Sequence, residues 1–268
     1  MTEVISLGKP AMHVKQNASP FRDALFREAE GLALLRDALT VTGVTAVRVP
    51  EVFSVGDEQM EMAAIVQKRQ TDTLLYKLGE TIGLIHQLPQ TCYGFSRDNY
   101  IGLSPQLNTE SDSWGSFFVE YRLKYQVSRI GHPRIRERFE QTLAHCGEDL
   151  AGWLDDHCRR PSLLHGDLWS GNVLFDDDYA WLIDPAVYFG DREADMAMTE
   201  MFGGFGPNFY EGYYSVWPRS PVYEQKRELY NLYHYLNHYN LFGGWYLEVC
   251  QRSFARISEK FGQGTDRR

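Results

Sequence analysis

The chain has 268 residues, 43% of them hydrophobic and 24% charged, with a net charge of −9. This suits a soluble globular protein of one large domain or two lobes and excludes disordered and collagen-like chains. Nucleic acid is excluded as a partner because Arg134, Arg136 and Arg138 are interleaved with Glu137 and Glu140 and no basic stripe forms.

Residues 11–16 alternate, with Met12 and Val14 on one face and His13 and Lys15 on the other, and predict a short strand. Residues 21–39 carry Leu25, Ala29, Leu32, Leu35 and Leu39 at helical spacing. After Gly43, the run Val47 to Phe53 reads as extended, with Pro50 at an edge, and residues 60–67 as another strand. The polar stretch from Lys68 to Thr73 is the expected lobe boundary, giving an N-lobe of residues 1–70 and a C-lobe of residues 71–268. Residues 74–87 are periodic, and residues 89–112 read as a long loop. Aromatic residues from Trp114 to Tyr125 predict a helix over 113–130, and Phe139 to Leu154 another over 135–158. Two apolar runs, 173–175 and 180–183, flank Asp176-Asp177-Asp178 and predict a hairpin. The last 45 residues read as helical. The order is α+β, a small strand-rich lobe followed by a larger helical one.

No apolar run is long enough to span a bilayer, and Met1–Pro10 lacks the pattern of a signal peptide. The four cysteines (Cys92, Cys146, Cys158 and Cys250) are scattered and form no CxxC pair, so a reducing cytoplasm is the expected compartment. An acidic chain repels anions at long range, which favours a neutral or amine-bearing substrate.

The run His165-Gly166-Asp167-Leu168-Trp169-Ser170-Gly171-Asn172 carries the chemistry. Asp167 and Asn172 have the D-x-x-x-x-N spacing of a kinase catalytic loop. At that spacing the carboxylate reaches an acceptor hydroxyl while the amide oxygen reaches a metal. Asp184 closes the following hairpin and can ligate Mg²⁺ on the phosphates of ATP. Lys15 is the candidate phosphate-binding cation. Glu28 shares a helix face with Leu25 and Leu32 and needs a partner there, so a Lys15–Glu28 pair is expected. His234 and His238 lie four apart but lack the glutamate of a zinc-protease motif, and read as part of a packed tyrosine-rich helix.

The run from Pro161 to Asn172 resembles the fructosamine/ketosamine-3-kinase family, as do Asp184-Pro185-Ala186 and Tyr188 to Asp195. Trp169 and the Gly190-Asp191-Arg192-Glu193 run distinguish that family from aminoglycoside phosphotransferases and choline kinases, which share its fold. The resemblance implies a bilobal protein-kinase-like fold and ATP-dependent phosphorylation of the 3-hydroxyl of a small or protein-bound ketosamine, a deglycation step. It implies Asp167 as proton acceptor, Asn172 and Asp184 as metal ligands, and Lys15 with Glu28 as phosphate clamp. It places the adenine hinge near Ile65, Val66 and Gln67. His165, Trp169, Asp191, Arg192 and Asp195 would support the loop or line the substrate side. The family's glycine-rich segment has no counterpart ahead of Lys15, where Gly8 is the only glycine, so a truncated N-lobe with an exposed sheet edge is expected. Two alternatives stay open: a kinase of the same fold acting on an aminoglycoside or amino alcohol, and a non-catalytic binding module.

Overall fold

The computed structural model describes residues 11–262. The readings that rest on Met1–Pro10, including Gly8 and the signal-peptide pattern, lie outside the described residues.

Strand β1 (Met12–Gln16) keeps the alternation of its sequence and pairs antiparallel with β4 (Gln59–Ala63), Lys15 facing Met60 across the ladder. Strand β3 (Val52–Val55) lies on the other side of β4. Within the described sheet β1 is an edge strand, and its Met12 and Val14 are exposed. Helix α1 (Ala24–Thr42) buries Leu25, Leu32, Leu35 and Leu39 and ends on Gly43 at φ +70°, a conformation that suits glycine.

The extended run around Pro50 splits in two. Strand β2 (Val47–Arg48) leaves the first sheet and pairs in parallel with β9 (Ala180–Leu182), which turns back onto β8 (Val173–Phe175). A sheet therefore crosses between the two halves of the chain. One apolar cluster does the same: Leu32, Leu35 and Val47 pack with Leu78, Ile82, Phe175 and Leu182. Helix α2 (Asp72–Gln87) begins on Thr71, whose hydroxyl accepts the Leu74 N–H.

The stretch read as a long loop contains a hairpin, β5 (Asn99–Ile101) and β6 (Ser104–Gln106), turning at Gly102. Three-residue strands are too short to register as alternation. The predicted aromatic helix is continuous but not uniform. It runs as α3 (Trp114–Phe117), a π-helical stretch (Phe118–Lys124) and α4 (Tyr125–Ser128). Helix α5 (Pro133–His157) starts on its proline, whose missing N–H has no helical partner to lose.

The segment from 158 to 222 contains more structure than its sequence pattern announces. Strand β7 (Ser162–Leu164) pairs antiparallel with β10 (Tyr188–Gly190), and the catalytic run lies between them. Helix α6 (Arg192–Thr199) is buried at every position, its charged residues Arg192, Glu193 and Asp195 included. Helix α7 (Pro207–Val216) packs on α2. Helices α8 (Tyr223–Phe242) and α9 (Tyr246–Phe261) close the helical lobe, with Phe139 and Phe254 stacked 4.0 Å apart.

Candidate active site

The chain enters the site from β7 and turns at Gly166, whose φ is +82°. A Cβ there would stand 2.0 Å from the Ala186 carbonyl oxygen, so only glycine lets the two backbones approach. Asp195 of α6 holds this turn from behind. Its carboxylate accepts the His165 N–H at 2.7 Å and the Gly166 N–H at 2.9 Å. His86 of α2 lies 3.3 Å from the same carboxylate and 2.9 Å from the Tyr213 hydroxyl. Burial opposes the Asp195 charge, but His86, His165 and the amide donors outweigh it and hold the carboxyl below its usual range.

His165 fixes the next residue. Its Nε2–H donates to the Ile183 carbonyl at 3.0 Å, which leaves Nδ1 to accept the Asp167 N–H at 3.3 Å. Burial keeps this imidazole below its usual pKa, in keeping with the neutral tautomer. Asp167 stands half-buried in the cleft wall. Burial lifts its carboxyl to about 7, opposed by the Asn172 amide and reinforced by Asp184 and Asp195. Asn172 donates its Nδ2 to both the carbonyl and the carboxylate of Asp167, each at 2.9 Å. Its Oδ1 is left as a free acceptor.

Asp184 sits at φ +54°, among the described residues the only non-glycine position in the left-handed region. Lys15 reaches across from β1 to bond Asp184 at 2.8 Å and Glu28 at 2.7 Å. Burial works against the Lys15 charge, but the two carboxylates outweigh it and raise its pKa. Burial raises the Glu28 pKa, and Lys15 opposes that. One Glu28 oxygen, Oε1, is buried without a partner.

These groups face a cleft of about 290 Å³ lined by Lys15, Glu28, Asp167, Asn172 and Asp184, with the residues 15–19 and the β5–β6 hairpin at its rim. Its donor set suits Mg²⁺: hard oxygens from one carboxylate and one amide, with room for phosphate and water. Among the described residues no cluster of three or more His, Cys, Asp or Glu could hold a metal alone. A second cavity, of about 420 Å³, adjoins the first and shares Gly102, Leu103, Asp167 and Trp169 with it. Phe202, His238, Phe242 and Tyr246 line it, a continuous aromatic wall with centroid separations of 5.1–5.7 Å about His238. Trp169 meets Phe202 edge to face and folds over Gly171, where a Cβ would stand 2.3 Å from its ring.

The structure separates the remaining expected positions from this cleft. Asp191 and Arg192 line neither this cleft nor the second cavity. Asp191 caps α6 through the Glu193 N–H and bonds Lys226 and Tyr230, while Arg192 is buried against Tyr213 and Trp217. Arg192 reaches the Tyr213 hydroxyl at 3.2 Å, the same group that bonds His86 behind Asp195. Ile65, Val66 and Gln67 follow the end of β4 and do not line the cleft; Val66 is 68% exposed. Sequence reasoning missed Asn99, Tyr100, His86 and His238. Tyr100 stacks on Phe21 and bonds Asp23, closing the cleft rim. His86 carried a signal, a histidine on the apolar face of α2 one turn after Ile82.

Strand-rich and helical parts gripping a cleft with this loop define a kinase-like phosphotransferase. An aminoglycoside phosphotransferase solved with streptomycin and ATP shares that fold, with a TM-score of 0.58 at 17% identity over 94% of this chain and 86% of its own. The fructosamine kinase family model matches residues 2–260, and the chain belongs to that family. It is 39% identical to a probable ketoamine kinase of Vibrio parahaemolyticus over 95% of this chain and 87% of that protein. It is 41% identical to the chloroplastic protein-ribulosamine 3-kinase of Arabidopsis thaliana over 63% of this chain and 53% of that one. A crystal structure of a candidate fructosamine-3-kinase from Thermobifida fusca superposes with a TM-score of 0.78 at 29% identity, covering 93% and 86% of the two chains. Among the described residues no helix is long and apolar enough to cross a membrane.

Proposed function

We propose that this chain transfers the γ-phosphoryl group of ATP to the 3-hydroxyl of a ketosamine, free or protein-bound, as a deglycation kinase. The observation that carries this is the position of Asp167 between two unlike cavities. One side offers Lys15, Asn172 and Asp184, a set suited to polyphosphate and metal. The other offers Trp169, His238 and aromatic neighbours, suited to the body of an amine-bearing acceptor.

In this reading Asp167 accepts the acceptor's hydroxyl proton as that oxygen attacks the γ-phosphorus and the bond to the β-phosphate oxygen breaks, releasing ADP. Asn172, through its amide donors, holds the carboxylate in place for that proton. Lys15, steadied by Glu28, binds the phosphates. Asn172 Oδ1 and Asp184 would hold Mg²⁺, which neutralises charge on the transferring group. Release of Asp184 by Lys15 accompanies nucleotide entry. The lobe division at residue 70 fits this division of labour, with the clamp before it and the base and metal ligands after it. Met12, three residues before Lys15, pairs with Ala63. The linker at Ile65–Gln67 begins five residues past Met60, the partner of Lys15, roughly 17 Å along the strand direction, and in this reading it holds the adenine end.

ADP release from Mg-ATP and fructoselysine tests the reading. Turnover is expected, and Asp167→Asn should lower kcat by about 10²–10⁴-fold while ATP still binds. No turnover with any ketosamine, under conditions where ATP binds, would overturn it.

A further inference from the structure

At the N-terminal end of α6 lies a separate cavity of about 290 Å³, lined by Arg159, Arg160, Arg192, Trp217, Arg219 and Lys226 among others. Its floor is a closed ionic layer. Lys226 is 2% exposed and bonds Asp191 at 2.6 Å and Glu193 at 3.0 Å. The remaining Glu193 contacts are Arg192 at 3.3 Å, the Ser220 N–H at 3.0 Å and the Ser220 hydroxyl at 2.8 Å. Tyr230 donates to Asp191. The floor's two acids are thus matched by Lys226 and Arg192, and no carboxylate there is left to meet a further cation.

The walls are different. Arg160 and Arg192 both rest on the Trp217 indole, their guanidinium carbons 4.8 and 4.5 Å from its centroid. Among the described residues neither Arg159 nor Arg160 has a carboxylate within 4 Å, and both are exposed at the mouth. Arg219 pairs with Glu224 at the rim and lies over Tyr223. With Arg192 matched to the floor and Arg219 to Glu224, the positive charge left over at this mouth is that of Arg159 and Arg160, Arg160 being held beside Arg192 on one indole, in a chain of net charge −9. Like charges gathered on one ring repel. An oxyanion bridging them would relieve the repulsion and accept their forked N–H donors.

We propose that this cavity is a second ligand site, for a phosphate group, carried either as free phosphate or as a phosphate monoester. It is distinct from the cleft at Asp167 and does not depend on the function proposed for that cleft. Its lining combines planar cations with an aromatic face, which suits a phosphate attached to a small organic body as well as a free one.

The test reads Trp217 directly. The protein is labelled with fluorotryptophan, the Trp217 ¹⁹F resonance is assigned with Trp217→Phe, and ADP is kept saturating so that the cleft is filled. Inorganic phosphate or ribose 5-phosphate is then titrated, with chloride at matched ionic strength as the control. The Trp217 resonance should move saturably with phosphate and not with chloride. Arg160→Glu, and separately Arg159→Glu, should weaken the response by at least about tenfold with the other tryptophan resonances unchanged. A tighter response to ribose 5-phosphate supports a monoester, and an equal one supports free phosphate. A Trp217 resonance that stays still, moves equally with chloride, or responds equally in both variants would overturn the site.

Discussion

Two lysines in this molecule each lie between two carboxylates, and their surroundings set them to different work. Lys15 joins Glu28 and Asp184 at the cleft, with side-chain exposures of 28%, 14% and 45%. Lys226 joins Asp191 and Glu193 beneath α6, with exposures of 2%, 5% and 1%. The buried trio has no water to fall back on, so its partners cannot separate without stranding charge. The cleft trio is wet on the Asp184 side, so that contact can be exchanged for a phosphate or a metal. A lysine between two acids is a structural brace when dry and a movable clamp when wet.

The largest expected effect breaks the dry trio. Lys226→Met leaves Asp191 buried without its cation and Glu193 with Arg192 alone, and should cost about 3–5 kcal/mol, lowering Tm by roughly 10 °C or more in a thermal melt. A melt within about 1 °C of the parent would show that the trio is not a brace. Lys15→Met is expected to do the opposite. Stability should fall by less, about 1–2 kcal/mol, because Glu28 loses its cation while solvent still reaches Asp184, and kcat/KM for ATP should fall by about 10²-fold or more. Equal losses of stability in the two variants would remove the distinction.

The comparison sharpens at His234, which is buried and, among the described residues, paired with no carboxylate. Burial depresses its pKa to about 3, and its Nδ1 has no partner. The sign follows from the unfolded value near 6.5. Above that pH both states are neutral at this group. As pH falls below it, the unfolded chain takes up a proton that the folded protein refuses, and stability is lost down to the folded pKa. Between pH 7 and pH 4.5 the loss should be about 3 kcal/mol from this residue. Denaturant titrations of the parent and His234→Phe at both pH values check it. The variant should lose less on acidification, and an identical loss would mean that His234 is protonated in the fold.

How much of this could be read from the sequence depended on range. Asp167, Asn172 and Asp184 lie within eighteen residues on one turn and hairpin, so their spacing alone encodes their convergence. The Lys15–Glu28 contact was legible because an acid between Leu25 and Leu32 requires a nearby cation. The Lys226 trio was not legible. Lys226 is 35 and 33 residues from its two acids, and in sequence a buried lysine on a tyrosine-rich helix looks like any surface lysine. Helix α6 is only eight residues long and buries its charged side chains along with its apolar ones, and β5, β6, β7 and β10 are three residues each. The aromatic helix at 113–130 showed its face but not its π-helical stretch, because widening one turn shifts the register without changing which residue types are used. Tyr100 and His238 line their cavities only through tertiary packing, and neither sits in a local motif.

The smallest effect completes the gradient from dry to wet. Glu120 and Lys124 lie four apart in the π-helical stretch, 2.7 Å between charges, with side-chain exposures of 53% and 46%. Their separation matches that of the Lys15–Glu28 pair, so distance alone would predict equal worth. Water screens the attraction, and holding two long side chains together costs rotamer entropy. Lys124→Ala should therefore change stability by no more than about 0.5 kcal/mol, and raising the salt to 1 M should erase even that. A double-mutant cycle with Glu120→Ala isolates the coupling. A coupling above about 1.5 kcal/mol would mean that exposure is not what separates the brace from the clamp, and the cause would have to lie in geometry common to all three lysines.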